Sequence, residues 1–461
     1  MKQTDELPAV DGFSNSQCCV AQALSREDCE AVVRQQKGRA GGSFAVESWS
    51  ERDLAADGGP LGNLGSHLRL EVAVRWAEGG RRERLRFFVK KLPANDAQSA
   101  FVQGSGAASK ELIYYAELEP AMRAVLPSAQ GASGAARRAW GSRCLLARRG
   151  LLVLEDLTAQ GFRGYGARDL LDRAHASQVV RALAALHASS LAFERTRDRA
   201  LGKHFRAPDH FPDAFVETFY NRDEAHPGYK YTLAGVNAVA ACMQLLPMCQ
   251  ADEDVARRVA ARAHEVLWGV CDSVQPSARH RNVIAHGDLW LNNILFRYDE
   301  AGRPAEARLV DYQLLRYVPP AHEVFQYLYV VGTRAFRREH AHSLLREYHD
   351  QLGEQLRALG ADVQQLLPWK DFQASWEESR RHGLLVTPFF LHFVLTDGAV
   401  LSKTFSDVKA YHHFLNEGRT DHVLKQFRED AVYRERFSEI LEELVRDLVL
   451  GEGSSGADKE T

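Results

Sequence analysis

Two short stretches, 286–296 (HGDLWLNNILF) and 309–313 (LVDYQ), hold side chains whose types and spacing suit one kind of chemistry. Transfer of a phosphoryl group to a hydroxyl needs the incoming oxygen aligned and relieved of its proton, and the triphosphate's charge neutralised by Mg2+. An aspartate on a loop before a strand can hold the hydroxyl. An asparagine at the loop's far end can offer an oxygen to a metal, and an aspartate closing the partner strand completes the oxygen ligation that Mg2+ prefers. Asp288, Asn293 and Asp311 stand in this order. Taken singly they are turn and strand-end residues. Taken together they make Asp288 the positioning base and Asn293 and Asp311 the metal ligands.

A nucleotide site is then expected upstream. Lys90 lies in 87–93 (FFVKKLP), where Leu85, Phe87 and Val89 alternate as the core-facing side of a strand. Lys90 therefore faces the opposite side, with Lys91 as the competing choice. Glu111, in the helix expected over 108–119, can orient Lys90 toward the α- and β-phosphates. The glycine-rich segment 58–66 (GGPLGNLGS) can close over phosphates through backbone N–H groups, with Gly62, Gly65 and Ser66 as its contacts, although it lacks a strict G-x-G-x-x-G. Segment 154–157 (LEDL) sits where a hinge would, with the backbone of Glu155 and Leu157 toward an adenine edge. His286 reads as a brace for the catalytic loop, and Trp290 as pocket wall or core. The aromatic-rich segments 211–232 and 384–396 are expected to wall an acceptor pocket.

The elements that must position these groups follow from periodicity and punctuation. Ser25 and Asp28 form a capping-box pattern before the apolar positions Cys29, Val32 and Val33. Alternation on either side of Gly79-Gly80 predicts an antiparallel hairpin over 67–92. A helix over 108–119 should end before Pro120, and 127–143 reads as a loop. Leu151 to Leu154 form a short buried strand. Helical periodicity then dominates, first over 168–189, later over 321–357 and most of 370–449. Strand character returns within 283–313 as a second hairpin. The expected class is α+β, a bilobal protein-kinase-like fold. Its small antiparallel-sheet N-terminal lobe spans 1–157 and its larger, mainly helical C-terminal lobe 158–450, with 451–461 a disordered tail.

Composition narrows the partners. The 461 residues are 45% hydrophobic and 26% charged, and 58 basic against 61 acidic residues give a formal charge of -3. That balance offers neither a basic field for nucleic acid nor a polybasic membrane patch, and no protein partner is predicted. The seven cysteines lack zinc or redox spacing, which suits free thiols in a reducing compartment. The N-terminus shows no apolar signal region and no run of about 18 apolar residues occurs, so a cytoplasmic location is expected. His340, His342 and His349 fall on an expected helix among charged residues and read as solvated.

The H-G-D-L-W-x-x-N-I-L-F segment, the V-D-Y-Q that follows, the F-V-K-K-L-P strand and the L-E-D-L hinge together resemble the ecdysteroid kinase-like family. The family is also called CHK kinase-like and is related to aminoglycoside and choline kinases; the resemblance spans about 55–420. It implies a kinase-like fold, use of ATP and Mg2+, and phosphorylation of a hydroxyl on a small molecule such as a steroid or a dietary toxin. It also implies Asp288 as the catalytic aspartate, Asn293 and Asp311 as metal ligands, and Lys90 with Glu111 as the ATP-binding pair. Tyr312 stands where the family more often has phenylalanine. Glu323 stands where it has an aspartate that braces the catalytic loop. The alternative in another class is a catalytically silent nucleotide- or ligand-binding protein on the same fold.

Overall fold

The computed structural model describes residues 23–37, 42–54, 65–92, 106–126, 140–166, 168–398, 400, 401, 404 and 407–452. Gly62, most of the loop at 127–143 and nearly all of the C-terminal tail lie outside the described residues. The fold is α+β. Strands β1 (Phe44–Asp53), β2 (Ser66–Trp76), β3 (Arg82–Lys91), β4 (Cys144–Arg148) and β5 (Leu151–Glu155) form one antiparallel sheet in the order β1-β2-β3-β5-β4.

One face of this sheet is covered by α1 (Arg26–Lys37). The capping box forms as expected: the Ser25 N–H donates to Asp28 Oδ2 at 2.8 Å and the Asp28 N–H to Ser25 Oγ at 3.1 Å. Cys29, Val32 and Val33 then pack against Leu85, Phe87 and Val89. Alternate residues of β5 go to different cores: Leu151 and Val153 join α1, while Leu152 and Leu154 join the large core with Tyr114 and Tyr115. A strand buried on both faces needs an unbroken apolar run, which is why Leu151 to Leu154 are all apolar. On β3 the same alternation turns Lys90 away from α1.

Helix α2 (Ala107–Ile113) does not stop before Pro120. A π-helical turn, Tyr114–Leu118, follows it, and helix resumes over Glu119–Ala124. The Glu119 N–H reaches back to Tyr114 O. The wider turn shifts the hydrogen-bond register just where Pro120 has no N–H to give, so the proline is absorbed.

Beyond β5 the chain is mainly helical. Helix α3 (Arg173–Leu201) is capped by Asp172, whose side chain accepts from the His175 N–H. It packs with α4 (Gly228–Met243), α5 (Pro320–Val331), α6 (Arg334–Ala358) and α7 (Trp376–Val394) in one core. Strands β6 (Arg163–Gly164), β8 (Ile294–Tyr298) and β9 (Pro304–Leu309) make a three-stranded sheet, and β7 (Val283–Ala285) pairs with β10 (Arg316–Val318). All three expected surface histidines lie on α6, but His349 is buried, its Nε2 meeting Leu367 O at 2.9 Å. It neighbours the buried Tyr348 and Leu352, so helical periodicity carries it onto the core stripe. Among the described residues no helix is long and apolar enough to cross a membrane.

Candidate active site

Register on the first sheet sets the cleft. Lys90 pairs with His67 on one side and Leu152 on the other, on the face opposite α1. Its Nζ donates to Glu111 Oε2 and to Asp311 Oδ1, both at 2.7 Å. Lys91, on the other face, pairs with Glu51 of β1. Burial opposes the charge of Lys90, but Asp311 and Glu111 outweigh it and hold its pKa above the usual lysine range. For Glu111 burial, with the like charge of Asp311 adding to it, outweighs Lys90 and lifts the pKa to about 7.

The loop that carries Asp288 runs from β7 to β8. Gly287 adopts φ +77, and a Cβ there would lie 1.9 Å from Leu314 O, so only glycine fits. Its N–H donates to Glu323 Oε1 at 2.8 Å, and the other Glu323 oxygen meets His187 Nε2 at 2.8 Å. The glutamate thus braces the loop from the first turn of α5 and ties it to His187. The Asp288 N–H donates to His286 Nδ1 at 3.3 Å, which leaves Nε2 to donate to Val310 O at 2.9 Å. His286 is a fully buried neutral brace between the loop and the strand end.

Asp288 Oδ2 accepts from Asn293 Nδ2 at 3.0 Å and from Gln313 Nε2 at 3.4 Å. Burial, with Asp311 adding to it, raises the Asp288 pKa to about 7. Pairing of Ile294 with Leu309, and the Val310 N–H on Asn293 O at 3.0 Å, carry Asp311 to the loop. Asp311 has φ +71, the sole non-glycine residue with positive φ among those described. Strain of this kind costs about 1–3 kcal/mol and persists where the surroundings enforce it. Tyr312, the next residue, is clamped by a stacked Tyr114 ring at 4.0 Å.

Two cavities meet here. The larger, about 360 Å³, is lined by Lys90, Glu111, Glu155, Leu157, Asn293 and Asp311, together with His67 and Phe88. The smaller, about 120 Å³, is lined by Asp288, Trp290 and aromatic side chains, and again by Asn293 and Asp311. Phe219, Tyr220 and Tyr231 come from one of the two expected wall segments and Phe389, Phe390 and Phe393 from the other. Gly65 packs beside Lys90, its added Cβ being 3.3 Å from the lysine Cε, and Ser66 opens β2 opposite Lys91. At the expected hinge the Glu155 N–H is engaged by Arg143 O and its carbonyl by Ser142 Oγ, each at 3.0 Å. The Leu157 carbonyl accepts from the Gln160 and Phe162 N–H groups. His67, Gln313, Glu217 and Arg316 belong to this region and were given no role from the sequence, although Gln313 ends the V-D-Y-Q motif and Glu217 lies within the expected wall segment 211–232.

A family model for ecdysteroid kinase-like proteins matches residues 63–361. The chain belongs to the ecdysteroid kinase-like family. No curated protein matches it. Among solved structures, ethanolamine kinase of Plasmodium vivax is 9% identical, with 85% of this chain and 84% of that one covered and a TM-score of 0.33. A microcompartment-associated aminopropanol kinase is 12% identical over 85% of this chain and 98% of its own, with a TM-score of 0.37. A choline/ethanolamine kinase family protein from Mesorhizobium loti is 12% identical over 91% and 100%, with a TM-score of 0.28. As a family member the chain carries its matched region across both the Lys90 strand and the Asp288 loop.

Proposed function

We propose that this protein is an ATP- and Mg2+-dependent phosphotransferase that phosphorylates a hydroxyl of a small, largely apolar alcohol of steroid or xenobiotic type. The observation that carries the reading is the pair of adjoining cavities whose shared wall is Asn293 and Asp311. One cavity holds the lysine–glutamate pair suited to phosphates. The other holds Asp288 among aromatic rings that suit an apolar skeleton.

The charges fit a divalent cation. Asp288, Glu111 and Asp311 set three carboxylates against the single ammonium of Lys90, and burial, with the charge of Asp311 adding to it, raises the pKa values of Asp288 and Glu111. Asn293 commits its Nδ2 to Asp288, so its Oδ1 remains to face a metal, and Asp311 retains Oδ2. Among the described residues no trio of His, Cys, Asp or Glu forms a metal cage. Mg2+ needs none, because nucleotide phosphates and water complete its shell. Bound there, Mg2+ would neutralise charge on the phosphate oxygens. Lys90, with two N–H bonds held by carboxylates, has a third for a phosphate oxygen. Asp288 aligns the acceptor hydroxyl and takes its proton as the oxygen attacks.

The test is Mg2+-dependent ADP release by wild type and Asp288→Asn across ecdysteroids, phenolic glycosides and amino alcohols. Release stimulated by one class and lost in the variant supports the reading and names the acceptor. ATP binding without release for any alcohol would instead favour a silent binding protein.

A further inference from the structure

Glu217 lies outside every motif, yet its carboxylate joins two parts of the acceptor cavity. Glu217 Oε1 accepts from the N–H groups of Phe219 at 3.0 Å and Tyr220 at 3.3 Å, two residues of the aromatic wall. Its Oε2 accepts from Arg316 Nε at 3.0 Å, and Oε1 from Arg316 Nη2 at 3.4 Å, a two-pronged pair. Arg316 opens β10, opposite Ala285 at the end of the strand that feeds the catalytic loop. Its Nη1 donates to Gly287 O at 3.0 Å, one residue before Asp288.

The pair is dry: the side chains of Arg316 and Glu217 are 4% and 10% exposed. Such a pair is weak support for stability as such, since apolar replacements of both partners are often tolerated. What it supplies is geometry. The wall segment is also held at its preceding residue, where Lys110 Nζ of α2 donates to Val216 O at 2.8 Å. Segment 216–220 is therefore fixed to α2 at one end and to the catalytic loop through Arg316 at the other.

We infer that Glu217 is a positioning residue: its carboxylate sets the acceptor wall and, through Arg316 and Gly287, the Asp288 loop in one mutual register. This rests on the phosphotransferase reading. Acceptor and base must meet within a narrow distance, and a misplacement of about 1 Å can cost ~100-fold in rate. One ion pair spanning both removes that freedom.

The test uses Glu217→Gln and the double variant Glu217→Gln/Arg316→Met, with Asp288→Asn alongside. Glu217→Gln leaves a buried guanidinium unpaired and should lower the melting temperature. The double variant removes both charges and should recover most of it. If Glu217 positions the site, the double variant, though restored in most of its stability, keeps a raised acceptor KM and a kcat reduced ~10-fold or more. Its nucleotide Kd stays at the wild-type value. Asp288→Asn should instead lose kcat with little change in acceptor KM. Full recovery of both constants in the double variant would reduce the pair to a structural role and overturn the inference. Absence of turnover in wild type with every alcohol would remove the phosphotransferase reading itself, and the positioning role with it.

Discussion

Asn293 gives its side-chain amide to Asp288 twice over, Nδ2 lying 2.8 Å from the Asp288 carbonyl and 3.0 Å from its Oδ2. Asp288 is thereby held by a residue that also borders the larger cavity, and the amide oxygen is turned away from it. Aspartate, amide and Gln313 form a preset frame for an incoming hydroxyl.

Replacing Asp288 by asparagine keeps this shape and removes the charge. Turnover should fall ~100- to 10,000-fold, the range for losing a general base. Stability should move the other way. The folded pKa is about 7 while an unfolded aspartate titrates near ~4, so the native chain holds the extra proton between those values. Wild-type stability is then fully present below the lower value and lost as pH rises through the upper one. Metal-free Asp288→Asn should unfold later than wild type at pH ~8 by on the order of a few kcal/mol, and no later at pH ~4. Equal urea midpoints at both pH values would contradict a buried, uncompensated carboxylate.

The same shift sets the rate profile. A base works ionised, so kcat/KM should decline as pH falls below about 7. An ordinary aspartate would hold the rate down to ~4. Mg2+ at Asp311 would lower the Asp288 pKa, so the acid limb should move to lower pH as Mg2+ is raised; an acid limb left unchanged in Asp288→Asn would exclude Asp288 as its source.

Lys90 and Lys91 are neighbours with opposite surroundings, one on Glu111 and Asp311 and the other on Glu51. Lys90→Met should raise the ATP KM ~10-fold or more, the equivalent of about 1.4 kcal/mol. Lys91→Met should leave it near the wild-type value. The reverse ranking in steady-state assays would assign the phosphates to the other face of β3.

Asp311→Asn keeps the contact with Lys90 but weakens the hard oxygen donor. The Mg2+ concentration for half-maximal rate should rise ~10- to 100-fold, measured by metal titration at fixed nucleotide. An unchanged titration would remove Asp311 from the ligand set.

Gly287→Ala drives a methyl into Leu314 O at 1.9 Å from a φ of +77. The loss should be on the order of 3–5 kcal/mol, visible as an early urea midpoint. A midpoint within ~0.5 kcal/mol of wild type would mean that the loop relaxes freely.

What the sequence could disclose was what is local. Asp288, Asn293 and Asp311 are brought together by one hairpin, so spacing alone carried the relationship. Lys90 over Lys91 followed from the alternation of Leu85, Phe87 and Val89, because a strand has only two faces. Glu217 and Arg316 were invisible: 99 residues separate them and neither lies in a periodic pattern. Pro120 misled because a proline ends a regular helix, whereas the π-turn before it does not obey that rule. His349 misled because it falls on the buried stripe with Tyr348 and Leu352, while its charged neighbours Arg346 and Asp350 stay exposed. The brace at Glu323 was legible as a position, but its second contact, with His187, was not.

Asn293 and Asp311 are walls of both cavities, so neither cavity can be filled without altering the surface presented to the other. Binding energies that share a wall are reciprocal: whatever the nucleotide does to the affinity of the alcohol, the alcohol does equally to that of the nucleotide. Each apparent Michaelis constant then drifts with the concentration of the second substrate. On the proposed function, filling the larger cavity first would alter the surface that an alcohol in the smaller one meets. On the same reading, selectivity among alcohols would be set with the larger cavity filled, and screens run on the empty protein would rank them differently.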